Sequence, residues 1–288
     1  MGIKNRLEQV DGQLEKPAKL ADVVVEEPVE KKGLEFDVES EVSEEEVREL
    51  KVYFEDCSQV DNWSRWRDAS GFAVSFKNLF PDRIAELRLD GSKWEKMKAV
   101  YNKFYNEGKK LRATKQALYL KILFPDRVKE LDLDSEWEEF KSEFDVVCTD
   151  NDWFYATNQA MRLKILFPEK ISELELEEKW TKMKEEYKDY YSLEDWWHTT
   201  VLAVGLKILF PDRVKELKLE ERWENMKGLL RRYSQNRKQW SFAMQASYLK
   251  ILASKEVKIT DQGMELVVGN NEDFEDKVGN RPERLKRE

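Results

Sequence analysis

Long stretches of the chain carry apolar residues at the spacing of an α-helix. Trp180, Met183, Tyr187 and Tyr190 follow one another at intervals of three or four residues. This spacing places the four side chains on one face of a helix, which is typical of a helix that packs against a core. Equivalent stripes begin at Trp94, Trp137 and Trp223.

A second series of helices is indicated by one small residue that recurs at the same place. A leucine follows it by three residues in four of the five copies and lies on the same side of the helix. A small residue suits a close helix crossing, because extra methylenes would force the two backbones apart. Each unit is therefore predicted to contain a second long helix, around Ala73, Ala117, Ala160, Ala203 or Ala246.

The two patterns belong to one tandem repeat. Its clearest signature is a Leu-Phe-Pro segment, in which the prolines are separated by 44, 43 and 43 residues. Proline ends the preceding helix and suits the first turn of the next one. Self-similarity at a fixed period of this length is typical of repeat architectures. The signature prolines are Pro81, Pro125, Pro168 and Pro211.

The repeat resembles those of α-solenoid proteins, with a period nearest to the HEAT and armadillo repeats. Its consensus matches neither the tetratricopeptide nor the ankyrin signature. The resemblance covers about residues 43–253 and implies an all-α stack with a concave surface available to partners. The predicted organisation is an atypical leading repeat at 43–78 and four full repeats at 79–122, 123–165, 166–208 and 209–251.

Both ends of the chain differ from the repeats. Residues 252–288 lose the signature and are predicted to form a degenerate cap and tail, in which Glu-Val-Lys-Ile-Thr and Met-Glu-Leu-Val-Val form a small β-hairpin. Residues 1–42 are predicted to be a disordered acidic arm, because they offer little apolar surface to bury. Order is predicted to begin at Ser43, which fits a capping box with Glu46.

Charge is distributed unevenly along the chain. The net charge is -9, and residues 1–46 contribute -8 of it, with 14 acidic and 6 basic side chains. The remainder is therefore close to neutral. A nucleic-acid binder needs basic groups to neutralise phosphates. Because the remainder is close to neutral, a nucleic-acid-associated protein is the alternative hypothesis and not the leading one. It would depend on a local basic patch at residues 231–238, formed by Arg231, Arg232, Arg237 and Lys238.

Sequence motifs for chemistry are absent. The chain has no phosphate-binding P-loop, dinucleotide-binding glycine motif, zinc-protease motif or serine-hydrolase elbow. The only two cysteines, Cys57 and Cys148, occupy non-equivalent repeat positions. We therefore expect no enzymatic activity, no cofactor and no metal site.

No apolar stretch is long enough to span a bilayer, and no secretory signal is evident, so we expect a cytoplasmic protein without a membrane partner.

Two adjacent tryptophans precede His198, the only histidine of the chain. Trp196 shares its repeat position with Trp153, and Trp197 shares the next position with Trp240. The pair is therefore two recurrent aromatic positions side by side, both expected in a core or at its rim. We expect His198 to be a surface or capping residue at the start of a helix.

The leading functional hypothesis is a non-catalytic scaffold that binds a protein or peptide. Core positions repeat because every unit must pack, so partner-facing positions should be exposed positions at which the units differ. The starts of the second helices satisfy this condition, with variable polar groups beside recurrent aromatic rings. The candidate partner-binding residues are Asp152, Trp153, Asp195, Trp197, His198, Arg237, Lys238 and Trp240.

Overall fold

A computed structural model describes Leu34, residues 36–260 and residues 263–267. This part of the chain is helical except for one two-stranded antiparallel sheet, which confirms the predicted all-α class. After a short α1 (Val38–Glu41), long helices of two kinds alternate along the chain. The outer helices are α2 (Glu44–Gln59), α4 (Gly91–Asn106), α6 (Trp137–Thr149), α8 (Leu176–Ser192) and α10 (Trp223–Gln235). The inner helices are α3 (Trp63–Leu79), α5 (Lys110–Leu123), α7 (Trp153–Leu166), α9 (Trp196–Leu209) and α11 (Gln239–Ala253).

The inner helices form a closed ring. Each inner helix packs against the next one along the chain, and α11 packs against α3. Each outer helix contacts the two inner helices that flank it, and α2 completes the pattern by contacting both α3 and α11. The sequence led us to expect a stack with separate ends, and the structure differs. The rotation between successive units brings the fifth unit back to the first.

Lysines at one repeat position link each inner helix to the next. Lys164 Nζ, for example, donates to the carbonyl oxygen of Leu209 at 3.0 Å. This bond satisfies a carbonyl near the end of the neighbouring helix, where no intrahelical donor remains. The other bonds are Lys77 to Ile122 (2.5 Å), Lys121 to Leu166 (3.1 Å), Lys207 to Leu252 (2.8 Å) and Lys250 to Leu79 (2.7 Å).

The core contains the residues that the two sequence patterns single out. Trp94 and Met97, at the start of one outer stripe, are fully buried, and so is Trp180 at the equivalent place in another unit, at 2% exposure. The recurrent alanine of every inner helix has no exposed surface. The small residue therefore lies at close helix contacts, as its repetition predicts.

The Leu-Phe-Pro signature marks the start of a short 3-10 helix in most units. Proline occupies the first turn of Pro81–Leu87, Pro168–Leu174 and Pro211–Leu217. In the remaining repeat the corresponding 3-10 helices are Val128–Leu131 and Leu133–Glu136, and a further one spans Leu219–Glu221. A residue in the left-handed conformation ends the main segment of each repeat and turns the chain into the next outer helix: Arg88, Asp132, Glu175 and Lys218.

The β-hairpin is present where the sequence predicts it. Strand β1 (Glu256–Thr260) pairs with β2 (Gly263–Val267), with Val257 opposite Leu266. Strand β2 contacts α5 and α7, across the ring from the helix that precedes the hairpin. The hairpin therefore reaches over the end of the ring at which the inner helices terminate. The rest of the predicted tail, residues 268–288, lies outside the described part of the chain.

The predicted N-terminal arm extends too far along the chain. Val38–Glu41 form α1, and Val42 is buried at 4% exposure. Ser43 then caps α2 through the capping box expected with Glu46. The first residues of the described chain thus pack before the first long helix begins. Residues 1–33 and residue 35 of the predicted arm lie outside the described residues.

Candidate functional site

The closed ring surrounds a central cavity of about 290 Å³. All five inner helices line it, together with Met264 of β2. Four isoleucines at one repeat position, Ile122, Ile165, Ile208 and Ile251, line it near the hairpin. Near the starts of the inner helices, three rings take their place: Phe154, Trp197 and Trp240. Most of the cavity wall is therefore aliphatic or aromatic.

Two cationic side chains lie in this apolar wall. Lys115 of α5 and Arg162 of α7 both line the cavity, and both are half-buried because part of their surface faces it. Burial, and to a smaller extent the positive charge of Arg162, lowers the pKa of Lys115 to about 8. Burial also lowers the pKa of Arg162. Both shifts reflect charges removed from bulk solvent.

The cavity lining contains two tyrosines next to these cations. Burial raises the pKa of Tyr119 to about 12, and burial also raises that of Tyr248. Both phenols therefore remain protonated near neutral pH and are able to donate hydrogen bonds. No Asp or Glu is found among the described residues that line the cavity. The polar part of the site consists of cations and neutral groups.

A second cavity of about 480 Å³ adjoins the first. Lys115, Tyr119 and Trp240 line both cavities, and Arg67 and Arg112 line the second one. These arginines lie within the first two turns of α3 and α5. The second cavity therefore lies towards the starts of the inner helices, opposite the hairpin, and Lys115 stands between the two spaces.

The charged residues of the predicted partner site mostly shape the helix starts. Asp152 Oδ1 accepts from the Tyr155 amide at 3.2 Å and caps α7. Asp195 Oδ1 accepts from the His198 amide at 3.2 Å and caps α9. Arg237 has a left-handed backbone in the turn before α11, where Lys238 is the residue before the helix. These residues differ among the units, but each of them has a local structural role at a helix start.

His198 is enclosed by its own neighbours. Its ring stacks on Tyr190 and meets Phe154 edge-on, both at 4.7 Å between ring centres. Its Nδ1 lies 2.7 Å from Asp195 Oδ2. Only a third of the side chain is exposed. Asp195 is the residue that caps α9, and His198 lies in the first turn as the residue whose amide is capped, so it is not the predicted capping residue.

The structure separates the three predicted tryptophans. Trp197 and Trp240 line the central cavity, with 6.3 Å between their ring centres. Trp153 packs against the hydrophobic core and is not among the cavity-lining residues. Two of the eight predicted residues therefore belong to the cavity.

Sequence reasoning missed Lys115, Arg162, Tyr119 and Tyr248, although a signal for them exists. Lys115 lies two residues before the recurrent alanine and Arg162 two residues after it. With 3.6 residues per turn, both positions lie on the side of the helix opposite the alanine. The units differ strongly there: the first position holds Gly71, Lys115, Asn158, Val201 and Met244, and the second holds Ser75, Tyr119, Arg162, Gly205 and Tyr248.

The predicted basic patch is adjoined by acidic side chains. Arg231 lies 3.6 Å from Glu224. Arg237 and Lys238 line a small crevice together with Glu46 and Glu49 of α2. Carboxylates near a patch lower its attraction for phosphate, because like charges repel.

Within the described residues, no group of three or more His, Cys, Asp or Glu side chains is arranged to hold a metal ion. No helix of the described chain is both long and apolar enough to cross a membrane.

Comparison with protein families, with curated proteins and with solved structures found no significant match.

Proposed function

We propose that this protein binds a small molecule in the central cavity of its helical ring. The observation that carries the proposal is where the five units differ. Positions that pack helices together are nearly constant, as the alanine and lysine of every inner helix illustrate. Positions on the cavity side differ from one unit to the next. A regular ring has thereby acquired an asymmetric interior, which is what recognition of an asymmetric ligand requires.

The dimensions and chemistry of the cavity support this proposal. Its volume of about 290 Å³ is at the lower end of the range of roughly 300–1,000 Å³ that is common for ligand pockets. Such pockets combine a mostly apolar wall with a few polar groups that orient the ligand. Lys115, Arg162 and Tyr119 supply polar groups here. The cavity is thus suited to a compact molecule.

The proposal modifies the scaffold hypothesis. A scaffold of stacked repeats holds its partner on a concave surface. In a closed ring, the concave surface is the wall of the central cavity, which has room for a small molecule or a short side chain but not for a folded protein. We propose binding rather than catalysis.

A neutral fluorescent probe tests the proposal. We expect N-phenyl-1-naphthylamine to bind saturably to the full-length protein, with one probe per chain. Energy transfer from tryptophan should report its position, because Trp197 and Trp240 line the cavity. Val201→Trp adds a large side chain to the cavity wall and should weaken binding by at least about tenfold, since it removes the space that the ligand fills.

Val146→Trp is the matched control, because Val146 is 50% exposed on α6. It should change the affinity by less than about twofold, as expected for a surface substitution. If Val201→Trp does not fold, Val204→Phe provides the smaller insertion at the same wall. The absence of saturable binding, or equal binding by a folded cavity-filled variant and the control, would contradict the proposal.

A further inference from the structure

We propose that the ligand of the central cavity is an oxyanion, a carboxylate or a phosphate, attached to a compact apolar body. Lys115 and Arg162 bind the oxyanion, and the aliphatic and aromatic wall holds the body. The inference rests on the proposed function, because it names the chemistry of the ligand in the same cavity.

The first argument is that the two cations lack a negative partner. Lys115 makes no hydrogen bond or ion pair with any residue that the structure describes, and its ammonium lies 5.6 Å from the centre of the Tyr119 ring. Arg162 donates one hydrogen bond, to the Leu111 carbonyl oxygen at 3.2 Å. A guanidinium has five N–H groups. A charge away from bulk water is costly unless it is paired, so an anionic ligand supplies what both groups lack.

The second argument concerns the one carboxylate whose charge reaches Lys115. This carboxylate belongs to Asp68, and it raises the pKa of Lys115 only as the smallest of the contributing causes. Asp68 Oδ1 already accepts two hydrogen bonds from Arg67, at 2.7 and 2.9 Å. Because Arg67 neutralises this aspartate, the region around Lys115 keeps its positive charge.

The third argument is that the donors suit an oxyanion. Arg162 offers a planar fork of N–H groups, and Lys115 offers a compact ammonium. The protonated hydroxyls of Tyr119 and Tyr248 belong to the same cavity wall. Hydrogen bonds from charged donors to carboxylate or phosphate oxygens are roughly twice as strong as those between neutral groups. No described acidic residue of the wall opposes an anion.

The fourth argument is the access route. The second cavity leads to Lys115 and carries on its wall the ion pair of Arg67 and Asp68 together with Arg112, which leaves the wall with a net positive charge. Basic side chains along an approach raise the local concentration of an anion and its association rate. The opposite end of the central cavity is apolar, with the isoleucines and Met264. The ligand is therefore oriented with its charged group towards the second cavity and its apolar body towards the hairpin.

A series of ten-carbon probes tests the inference. Decanoate, decyl phosphate and neutral decanol share one apolar body and differ in the head group. Each is measured by displacement of N-phenyl-1-naphthylamine and by calorimetry. We expect at least one of the two anions to bind about tenfold or more tightly than decanol, as expected for hydrogen bonds to a charged group.

Substitutions assign this preference to the two cations. Lys115→Met and Arg162→Met should each weaken binding of the preferred anion by at least about tenfold, and should change decanol affinity by less than about twofold. Lys129→Met is the matched control, because Lys129 is exposed on a 3-10 helix and forms no hydrogen bond or ion pair with the described residues. It should leave every affinity unchanged. Thermal unfolding of each variant establishes that it folds.

The outcomes separate the two proposals. If decanol and both anions bind with equal affinity, or if both methionine variants retain the anion preference, the inference is wrong and the proposed function stands. If neither the naphthylamine nor any ten-carbon probe binds, both are wrong. Inorganic phosphate and acetate complete the series. If either binds as tightly as its ten-carbon counterpart, the inference that the ligand carries an apolar body is wrong, and the cavity is a site for a free anion.

Discussion

Lys250 in the last inner helix donates a hydrogen bond of 2.7 Å to the carbonyl oxygen of Leu79 in the first, across 171 residues of chain. The same bond links neighbouring units elsewhere, as between Lys164 and Leu209. Asn78 Nδ2 adds a second bond across the closure, to Ser247 Oγ at 3.0 Å. The contact between the ends of the helix series is therefore made in the same way as the contacts within it.

Ring closure predicts that Lys250 contributes to stability as much as its internal counterpart. We expect Lys250→Met and Lys164→Met each to lower the free energy of unfolding by about 1–3 kcal/mol, because each leaves a carbonyl of the neighbouring helix without its donor. Denaturation by urea, followed by circular dichroism, measures both values.

Lys129→Met again provides the control, with a change below about 0.5 kcal/mol expected for an exposed site. A ring whose ends separate in solution would give a different result. In that case Lys250→Met would resemble the control and Lys164→Met would remain destabilising.

The helices and the hairpin were predictable because their signals are local. The stripe that begins at Trp180 reports one helix face, and the alternation around Val257 reports a strand. Ring closure has no such signal. It depends on the rotation between successive units, which results from many small packing differences along the helices. A stack and a ring can share one repeat pattern, so the sequence alone does not distinguish them. We therefore expected a stack with separate ends.

The cavity residues were missed for a related reason. Variation among units was the criterion for the predicted partner site, and it was applied to helix starts such as Asp152 because these were expected to be exposed. The variation at Lys115 and Arg162 lies in the middle of helices, opposite the constant alanine. Whether that side faces solvent or an enclosed space depends on closure. Only the ring shows that both charges line one enclosed cavity.

Lys115, which we propose binds the ligand, should lower the free energy of unfolding of the ligand-free protein. We expect Lys115→Met to raise the free energy of unfolding at pH 7 by about 1–2 kcal/mol, the lower part of the range for replacing enclosed ionic groups, because part of the ammonium faces the cavity. Titration with urea in the absence of ligand measures the change. The same variant should lose its preference for anions.

The difference between wild type and Lys115→Met should shrink with pH. The pKa of Lys115 is about 8 in the folded protein and about 10.4 in an unfolded chain. Between these values the unfolded state binds more protons, so the stability of the wild type rises with pH relative to the variant. The difference should be constant below pH 8. A stability difference that stays constant from pH 7 to pH 10 would show that Lys115 keeps an ordinary pKa.

The affinity for decanoate should fall as Lys115 loses its proton. The charged groups acting on Lys115 are Arg162, Arg67 and Asp68. The carboxylate of decanoate is ionised between pH 6 and pH 9. We therefore expect constant affinity from pH 6 to about pH 7.5 and a decrease approaching about tenfold per pH unit above pH 8, because binding then requires uptake of a proton.

Calorimetry at each pH, in buffers of different ionisation enthalpy, measures both the affinity and the protons taken up. Lys115→Met should bind decanoate weakly with no pH dependence, and wild type should bind decanol equally at every pH. If the wild type binds decanoate with the same affinity at pH 7 and pH 9 and takes up no proton, Lys115 does not contact the carboxylate.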